Sequence, residues 1–562
     1  MATAPGTPRA SRAYRAACTN CGAPVEFASA ASASAVCSFC RSTLVRDGDA
    51  LRRIGVSGEL FDDHSPLQLG VGGLRQGLSF TLVGRLQYGY FSDPLTPVLP
   101  TSPPEGAVLP GGASSTLGGT WNEWHALFDN ERSAWLSEDN GAYVVAFDAP
   151  LPADAPDLAN LRAGQRVVVD GRGWDVASVQ QVHLIAAQGE LPSPPRLEGS
   201  FTVVDLRNQL GEVGTLDNSD PQHVAWSVGR SVALSELRLT GLKDDVAEKT
   251  LSGRGFACPS CGASLTVTLA STKSLSCHQC KAVVDVSQGV GGELAHYAQN
   301  NSGEGGAEPQ LPLGKTGTLA LGGPPLAWQV VGYQERCDIP DSADDETTFW
   351  REYLLYERSA GFAFLVDSND GWSWVRPLTG APQVRGETAV WDGVSYKRRY
   401  SYNAKVTWVR GEFYWRVQRD ERAFVSDFEG TGADRSARLS REQTGNEVVW
   451  SGGRTLDAAT VANAFGVAPS GRAALRRDES ALASSVGSGI GFGKAVLIFG
   501  VVMLVLIVMS RCGRDDCGGV RQTFGAASTE YQQCQRNRAS GGGLRTGGGS
   551  YGGWSSGSGG HK

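Results

Sequence analysis

The sequence predicts a mainly β protein in which two zinc ribbons precede two copies of a sandwich-like or barrel-like β-module. Three observations predict it: a four-cysteine pattern occurs twice, the segment after each pattern repeats, and turn residues separate short strand-like segments about every 8–12 residues. Glycine accounts for 73 of the 562 residues and charged residues for only 19%. That composition suits turn-rich β structure and excludes a coiled coil or a collagen.

The length corresponds to several domains. We expect an unstructured N-terminus at 1–17, a first zinc ribbon at 18–48, a first β-module at 55–245, a second zinc ribbon at 250–290, a linker at 291–312, a second β-module at 313–468, a linker at 469–489, a transmembrane helix at 490–510 and a Gly/Ser-rich tail at 511–562.

Eight of the twelve cysteines form two C-x2-C-x15-C-x2-C patterns. The first set is Cys18, Cys21, Cys37 and Cys40, and the second is Cys258, Cys261, Cys277 and Cys280. Two CxxC turns present four sulfur atoms tetrahedrally to one Zn²⁺, and Gly22 and Gly262 supply a left-handed residue after the turn. Four thiolates leave no position for an activated water. We therefore predict two structural Zn²⁺ sites rather than catalytic ones, with a redox role for the CxxC pairs as the alternative.

The run Ala495–Met509 is uniformly apolar, and 490–510 is long enough to cross a bilayer. A buried globular helix is the alternative.

The flanking positive charges are nearly balanced, so they do not decide the orientation. The N-terminal twenty residues contain no apolar export segment, and eight metal-binding thiols favour a reducing compartment. We expect a single-pass protein of the inner (cell) membrane with its large N-terminal part in the cytoplasm. Cys512, Cys517 and Cys534 would then lie outside, in an undetermined disulfide state.

Self-comparison predicts an internal duplication, because matches between the halves keep their order and a nearly constant offset. The matched groups are Trp121–Trp124 with Trp350–Tyr353, Glu131–Ala134 with Glu357–Ala360, Asp170-Gly171 with Asp392-Gly393, Trp174 with Tyr396, Gly189-Glu190 with Gly411-Glu412, and Trp226–Arg230 with Trp450–Arg454. Core packing or an aromatic binding surface would both preserve such residues.

No enzyme motif is complete. Leu313–Gly317 resembles the end of a phosphate-binding loop, but Pro309 stands where that loop needs its first glycine. The G-x-S-x-G string of a nucleophile elbow occurs only in the Gly/Ser-rich tail, at Gly548–Gly552 and Gly553–Gly557, and the motif of a zinc-protease helix is absent from the sequence. His125 and His183 have no histidine at the matching positions of the second copy. We therefore predict no catalytic residues and no cofactor besides Zn²⁺, and we expect a non-enzymatic protein.

The matched residues resemble a bacterial family named domain of unknown function 4178, in two copies. The residues that carry the resemblance in copy one are Gly77, Phe80, Gly84, Arg85, Trp121, Glu123 and Trp124. In copy two they are Gly332, Trp350, Glu352, Tyr353, Gly411, Glu412 and Trp415. Copy two departs at Gly332-Tyr333, where copy one has Gly84-Arg85. The resemblance implies a zinc ribbon before the module, a C-terminal membrane helix and an envelope setting, but no activity.

These observations favour a membrane-tethered scaffold that binds protein partners at the inner membrane. One alternative is nucleic-acid binding through the ribbons, supported by arginines around the first ribbon, although the net charge of −7 provides no overall attraction for nucleic acid. The other alternative is an undetected enzyme or small-ligand binder that uses the β-modules.

Overall fold

The computed structural model describes residues 14–27, 32–47, 50–57, 65–92, 116–139, 142–243, 255–269, 272–286, 294–299, 309–340, 347–358, 360–417, 421–432 and 434–475. The predicted transmembrane helix at 490–510 and the tail at 511–562 lie outside these ranges. Within them, no helix is both long and apolar enough to cross a membrane. The described part of the chain is mainly β, as predicted.

The first half of the chain forms fifteen strands. They are β1 Tyr14–Ala17, β2 Pro24–Phe27, β3 Ser34–Val36, β4 Ser42–Asp47, β5 Ala50–Val56, β6 Gly72–Arg75, β7 Leu78–Ser92, β8 Thr116–Phe128, β9 Ser133–Asp139, β10 Ala142–Ala149, β11 Arg166–Val169, β12 Arg172–Leu191, β13 Phe201–Arg207, β14 Glu212–Asp220 and β15 His223–Ser231.

The second half forms sixteen more. They are β16 Gly255–Ala257, β17 Ser264–Thr266, β18 Ser274–Ser276, β19 Val283–Asp285, β20 His296–Tyr297, β21 Thr316–Leu319, β22 Leu326–Ile339, β23 Phe349–Glu357, β24 Gly361–Ser368, β25 Gly371–Leu378, β26 Gln383–Arg385, β27 Thr388–Trp391, β28 Val394–Phe413, β29 Arg422–Gly430, β30 Ala437–Thr444 and β31 Glu447–Leu456.

Short helical pieces complete the described elements. Two are α-helical, α1 Ala458–Ala464 and α2 Pro469–Arg472, and three are 3₁₀ turns, Leu158–Asn160, Leu234–Leu237 and Ala473–Leu475. The last turn and α2 fall within the segment expected to be a linker. Leu475 is buried there in an apolar cluster with Val461 of α1, so the second module includes residues up to at least 475.

Each module is a closed antiparallel barrel of eight strands. The first runs β7–β8–β9–β10–β15–β14–β13–β12 and closes where β12 pairs with β7. The second runs β22–β23–β24–β25–β31–β30–β29–β28 and closes where β28 pairs with β22. Of the two architectures that the sequence left open, the structure shows the barrel.

The two barrels have the same register at their closing seams. Gly84 lies opposite Gly189 in the first barrel, and Gly332 lies opposite Gly411 in the second. A Cβ on Gly84 would be 1.9 Å from the backbone oxygen of Glu190, and one on Gly411 would be 2.3 Å from that of Val331. Glycine is required because the two backbones approach this closely. The departure at Gly332-Tyr333 therefore leaves the strand pairing unchanged.

The Asp-Gly pairs form the predicted hairpin turns. Asp170 and Gly171, between β11 and β12, have φ values of 53° and 65°, and Asp392 and Gly393, between β27 and β28, have 47° and 74°. Two successive left-handed residues define the type I′ turn that matches strand twist.

The barrels contact one another through β12 and the β30–β31 hairpin. Ser178 pairs with Glu447, and the N–H of Val179 donates to the backbone oxygen of Asn446 at 3.1 Å. The N–H of Ala381 donates to the backbone oxygen of Asn208 at 3.0 Å.

Candidate metal centres and barrel interiors

The four cysteines of each ribbon lie on two tight turns with the same backbone pattern. The N–H of Gly22 donates to the carbonyl of Cys18, and the N–H of Arg41 donates to that of Cys37. Gly22 has φ of 77° and Arg41 of 57°; in the second ribbon Gly262 has 76° and Lys281 62°. The left-handed glycines were predicted. Arg41 and Lys281 were not, because only glycine adopts this conformation without steric cost.

The structure brings each set of four sulfur atoms together, all within 4.8 Å of one another. In the first ribbon the sulfurs of Cys18 and Cys40 are 3.6 Å apart and those of Cys21 and Cys37 are 3.7 Å apart. In the second, the pairs Cys258–Cys280 and Cys261–Cys277 are both separated by 3.7 Å. A tetrahedral Zn²⁺ with Zn–S bonds of about 2.3 Å separates its sulfurs by about 3.8 Å. The clusters therefore fit a tetrahedral metal ion.

Each cluster contains one thiol that ionises readily. Hydrogen bonds with the Ser42 hydroxyl, the Asn20 side chain and the Ser42 N–H lower the pKa of Cys40 to about 5. Burial opposes ionisation of Cys280, but hydrogen bonds that include the Ala282 N–H lower its pKa to about 6. The thiolate is the metal-binding form, so each site presents an ionised ligand at neutral pH.

The first ribbon continues the sheet of the first barrel. Strand β3 pairs with the end of β12, where Glu190 lies opposite Ala35, and β4 and β5 follow in order. The Glu190 carboxylate accepts a hydrogen bond of 2.8 Å from Ser32. The Ser57 hydroxyl, which follows β5, bonds to both the N–H and the backbone oxygen of Ala187. The ribbon is therefore an extension of the barrel sheet.

The second ribbon attaches in the same way through β18 and β28. Glu412, equivalent to Glu190, accepts hydrogen bonds from the N–H groups of Thr268 and Leu269 at 3.0 and 3.1 Å and from the Thr272 hydroxyl at 2.6 Å. The side-chain amide of Gln299 bonds to both backbone groups of Val409. The repeated Gly-Glu pair thus joins each ribbon to its barrel. The sequence singled out these residues without indicating that role.

A buried arginine crosses the interior of the second barrel. The guanidinium of Arg336 on β22 is 3.3 Å from the Glu352 carboxylate on β23 and 2.9 Å from the Glu442 carboxylate on β30. Only 1% of the arginine side chain is exposed. Gln334 and the indole N–H of Trp350 also donate to Glu352, at 2.5 and 2.8 Å. Because β22 and β30 are not adjacent, the pair spans the concave side of the sheet.

A second polar cluster lies on the outer side of the first barrel. Two nitrogens of the Arg85 guanidinium donate to the Asn122 side-chain oxygen at 3.1 and 2.7 Å, and Asn122 donates to Glu138 at 3.3 Å. Trp124 and Ser65 donate to the same carboxylate at 3.2 and 2.6 Å. All five side chains are buried, so the cluster is part of the packing and not an open site.

One sequence match does not correspond in space. Glu131 is a left-handed turn residue with φ of 64° between β8 and β9, whereas Glu357 is the last residue of β23. The strand register instead aligns Ala134 with Ala363, since they lie opposite Ala126 and Leu355. The aromatic pairs Trp174 and Tyr396, and Trp226 and Trp450, are all buried. Packing, rather than an exposed binding surface, therefore explains their repetition.

Two ribbon-extended β-barrels in tandem define the class of protein to which this chain belongs. The family model for domain of unknown function DUF4178 matches residues 69–234 and 326–458, just over half of the chain. The chain therefore belongs to that family, with two copies as predicted. No curated protein and no solved structure matches it significantly.

Proposed function

We propose that the chain is a membrane-tethered, zinc-stapled scaffold without catalytic activity, which binds protein partners at the inner membrane of the cell. The observation that supports this proposal is that both candidate metal sites consist of four cysteine sulfur atoms and that strand pairing joins each of them to its barrel. Four sulfur ligands leave no open coordination position, so the metal supports the fold and does not activate a substrate.

The proposed anchor is the apolar run within 490–510. The eight metal-binding thiols favour a reducing compartment, so we propose that the barrels lie in the cytoplasm. The test is extraction of membranes that contain the full-length chain with alkaline carbonate. We expect the protein to remain in the pellet, and Leu504→Arg with Ile507→Arg to release it, because arginine at the centre of a span costs about 2.5–3.5 kcal/mol. Ser485→Arg, outside the run, is the matched control. Release of the wild-type chain would contradict the anchor.

The metal stoichiometry and the partners need separate measurements. Elemental analysis should find about two Zn²⁺ per folded chain, one for each four-thiolate cluster. Proximity labelling by the full-length chain in its own cell should enrich a reproducible set of inner-membrane proteins. A labelling pattern identical to that of an unrelated single-pass protein would contradict the scaffold function.

Nucleic-acid binding by the first ribbon is the second candidate, and one feature favours it. Phe39, between Cys37 and Cys40, is 77% exposed, and Arg41, Arg52 and Arg53 are exposed on the same ribbon. The second ribbon has Gln279 in place of the phenylalanine. An aromatic ring with nearby cations is suited to stacking a base and contacting phosphate. Salt-dependent binding of a single-stranded oligonucleotide that Phe39→Gln weakens would support this function; salt-independent binding would contradict it.

A further inference from the structure

A buried histidine lies where the first ribbon joins its barrel. His125 on β8 lies opposite Gly84 on β7, and only 1% of it is exposed. Its Nδ1 is 2.9 Å from the backbone oxygen of Glu190, and its Nε2 is 2.9 Å from the hydroxyl oxygen of Ser133. Both ring nitrogens therefore have hydrogen-bond partners, although the ring is shielded from solvent.

These partners determine the protonation of the ring. A carbonyl oxygen only accepts hydrogen bonds, so Nδ1 carries the proton and donates to Glu190. Nε2 then has a lone pair, which accepts the hydrogen of the Ser133 hydroxyl. A second proton would bind at Nε2, where the hydroxyl would have to turn round, and it would place a positive charge in the protein interior. The packed ring therefore fits its site best in the neutral form.

Glu190 connects this histidine to the ribbon. Its carboxylate accepts a hydrogen bond of 2.8 Å from Ser32, and its backbone lies opposite Ala35 of β3. A second contact runs through Trp135, whose ring centre is 5.7 Å from that of the histidine and which belongs to the same apolar cluster as Val36 of β3. Both residues link the histidine to the strand that joins the ribbon to the barrel.

The charged groups near the ring do not offset the cost of burying a charge there. Burial lowers the pKa of His125 below its ordinary value of 6.5, although the hydrogen bond with the Glu190 backbone and the negative charge of Asp148 on β10 oppose the change. The Glu190 carboxylate is directed to the ribbon. Arg85 on β7 and Arg132, which precedes β9, lie over the aromatic rings of other residues, and β3 contains no charged residue. Protonation of the ring therefore opposes its packing.

The second junction has the same architecture without a titratable ring. Leu354 lies opposite Gly332, as His125 lies opposite Gly84, and Leu354 is also 1% exposed. The junction glutamate is kept as Glu412, which holds the second ribbon through its own hydrogen bonds. The two ribbons should therefore respond differently in the pH range in which histidine titrates.

We propose that His125 makes the attachment of the first ribbon sensitive to pH: the neutral ring holds the ribbon on its barrel, and protonation loosens it. The second ribbon, whose junction has leucine at this position, stays attached. Acidification thus changes the presentation of one ribbon, the one that carries the exposed Phe39. This switch is separate from the proposed scaffold function and does not depend on it.

The direction of the effect follows from the two states of the junction. When the junction opens, the ring reaches water and regains a pKa near its ordinary value of about 6.5. Below that pH the open junction binds more protons than the closed one, so its population rises as the pH falls. With no proton uptake by the packed ring, the opening equilibrium increases about thirtyfold between pH 7.5 and pH 5.0, which is the upper limit of the effect.

The test is hydrogen exchange followed by mass spectrometry on the detergent-solubilised full-length chain at pH 7.5 and pH 5.0, after correction for the intrinsic exchange rates. We expect peptides from 32–57 and 184–191 to exchange about threefold to thirtyfold faster at pH 5.0. Peptides from 255–286 and 406–413 should change much less. The second ribbon is a control within the chain, because it has the same four-cysteine cluster and junction glutamate and therefore reports any effect of acid on metal binding or on the carboxylates.

Variants of the histidine decide whether it is the responsible group. His125→Leu introduces the residue of the second copy and should remove the difference between the two ribbons at pH 5.0. His125→Gln, which keeps an N–H donor but does not titrate, replaces it if circular dichroism shows that His125→Leu is misfolded. His223→Gln, at an exposed histidine that pairs with Asp220, is the matched control and should leave the difference unchanged. The proposal is overturned if the first ribbon of the wild type loses no more protection than the second, or if the difference persists in the His125 variants.

Discussion

The two barrels share their backbone geometry and differ in how they place buried charge. On the outer side of the first barrel the arginine is Arg85 on β7, and its network reaches Glu138 through Asn122. In the second barrel the position of Arg85 is Tyr333, and Arg351 on the neighbouring strand β23 lies 3.5 Å from Asp367. The buried arginine is thus on β7 in the first barrel but on β23, the equivalent of β8, in the second. The carboxylate is on equivalent strands in both barrels, Glu138 on β9 and Asp367 on β24.

The interiors differ more strongly, because Arg336 has no counterpart in the first barrel. The paired glycines, the Asp-Gly turns and the junction glutamates are the same in both copies. The residue type cannot change where the backbones of two strands approach closely. A buried charge, in contrast, can be carried by any neighbouring strand whose side chain faces the same side of the sheet. After the duplication, the residues that determine the backbone geometry were therefore preserved, and the buried charged residues diverged.

The largest effect should come from removing the charge found in one barrel only. Arg336→Met leaves Glu352 and Glu442 buried without their shared cation, and we expect the free energy of unfolding to fall by about 3–5 kcal/mol. Urea unfolding of the full-length chain followed by tryptophan fluorescence measures this. Arg454→Met, which breaks an exposed ion pair with Asp434, should cost no more than about 1 kcal/mol. Equal losses of unfolding free energy in the two variants would show that the buried charge cluster contributes no more to stability than an exposed ion pair.

The same cluster should make stability depend on pH. Burial raises the pKa of Glu352 to about 7, against the opposing effect of Arg336, whereas an ordinary glutamate has a pKa of 4.5. Between these values the folded chain holds a proton that the unfolded chain has released. The free energy of unfolding should therefore fall as pH rises from about 4.5 to 7. Urea titrations at several pH values should show this slope in the wild type and a weaker one in Glu352→Gln.

The junction of the second ribbon should respond locally. Glu412→Gln removes the charge from an acceptor of several hydrogen bonds, which we expect to cost about 1.5–3 kcal/mol. Hydrogen exchange followed by mass spectrometry should show faster exchange in peptides from 255–286 and no change in peptides from 32–57. Glu387→Gln, in an exposed ion pair with Arg398, should leave both regions unchanged. Uniform acceleration over both ribbons would contradict a local role.

The smallest expected effects concern the Asp-Gly hairpin turns, which both barrels share. Gly171→Ala and Gly393→Ala each place a Cβ on a left-handed residue with open space around it. Strain alone should cost about 1–2 kcal/mol at each position. Thermal unfolding should show the same shift for both variants, and clearly different shifts would mean that the two hairpins are not equivalent.

The sequence predicted those parts of the fold in which a local backbone conformation or a set of metal ligands requires a particular residue type. The cysteine spacing and the Asp-Gly turns depend on local geometry, so they could be recognised from neighbouring residues. The Gly-Glu pairs were recognised only by their repetition, because their contacts join parts of the chain that are distant in sequence.

Closure of the barrels and the interior charges could not be predicted in this way. Arg336 and Glu442 are 106 residues apart, and no local pattern connects them. The match between Glu131 and Glu357 was wrong because the same short sequence occurs at positions that are not equivalent in the two barrels, a turn in the first and the end of a strand in the second. The transmembrane helix at 490–510 remains a prediction from hydropathy.

The attachment of each ribbon also has a consequence for solubility. Strands β12 and β28 continue past the barrel wall, and the short strands β3 and β18 pair with their ends, at Gly189–Leu191 and at Glu412-Phe413. An uncovered strand end offers amide and carbonyl groups to any other chain. Each ribbon covers such an edge. We therefore expect that removing a metal ion bound by its four cysteines would uncover the strand end and promote aggregation.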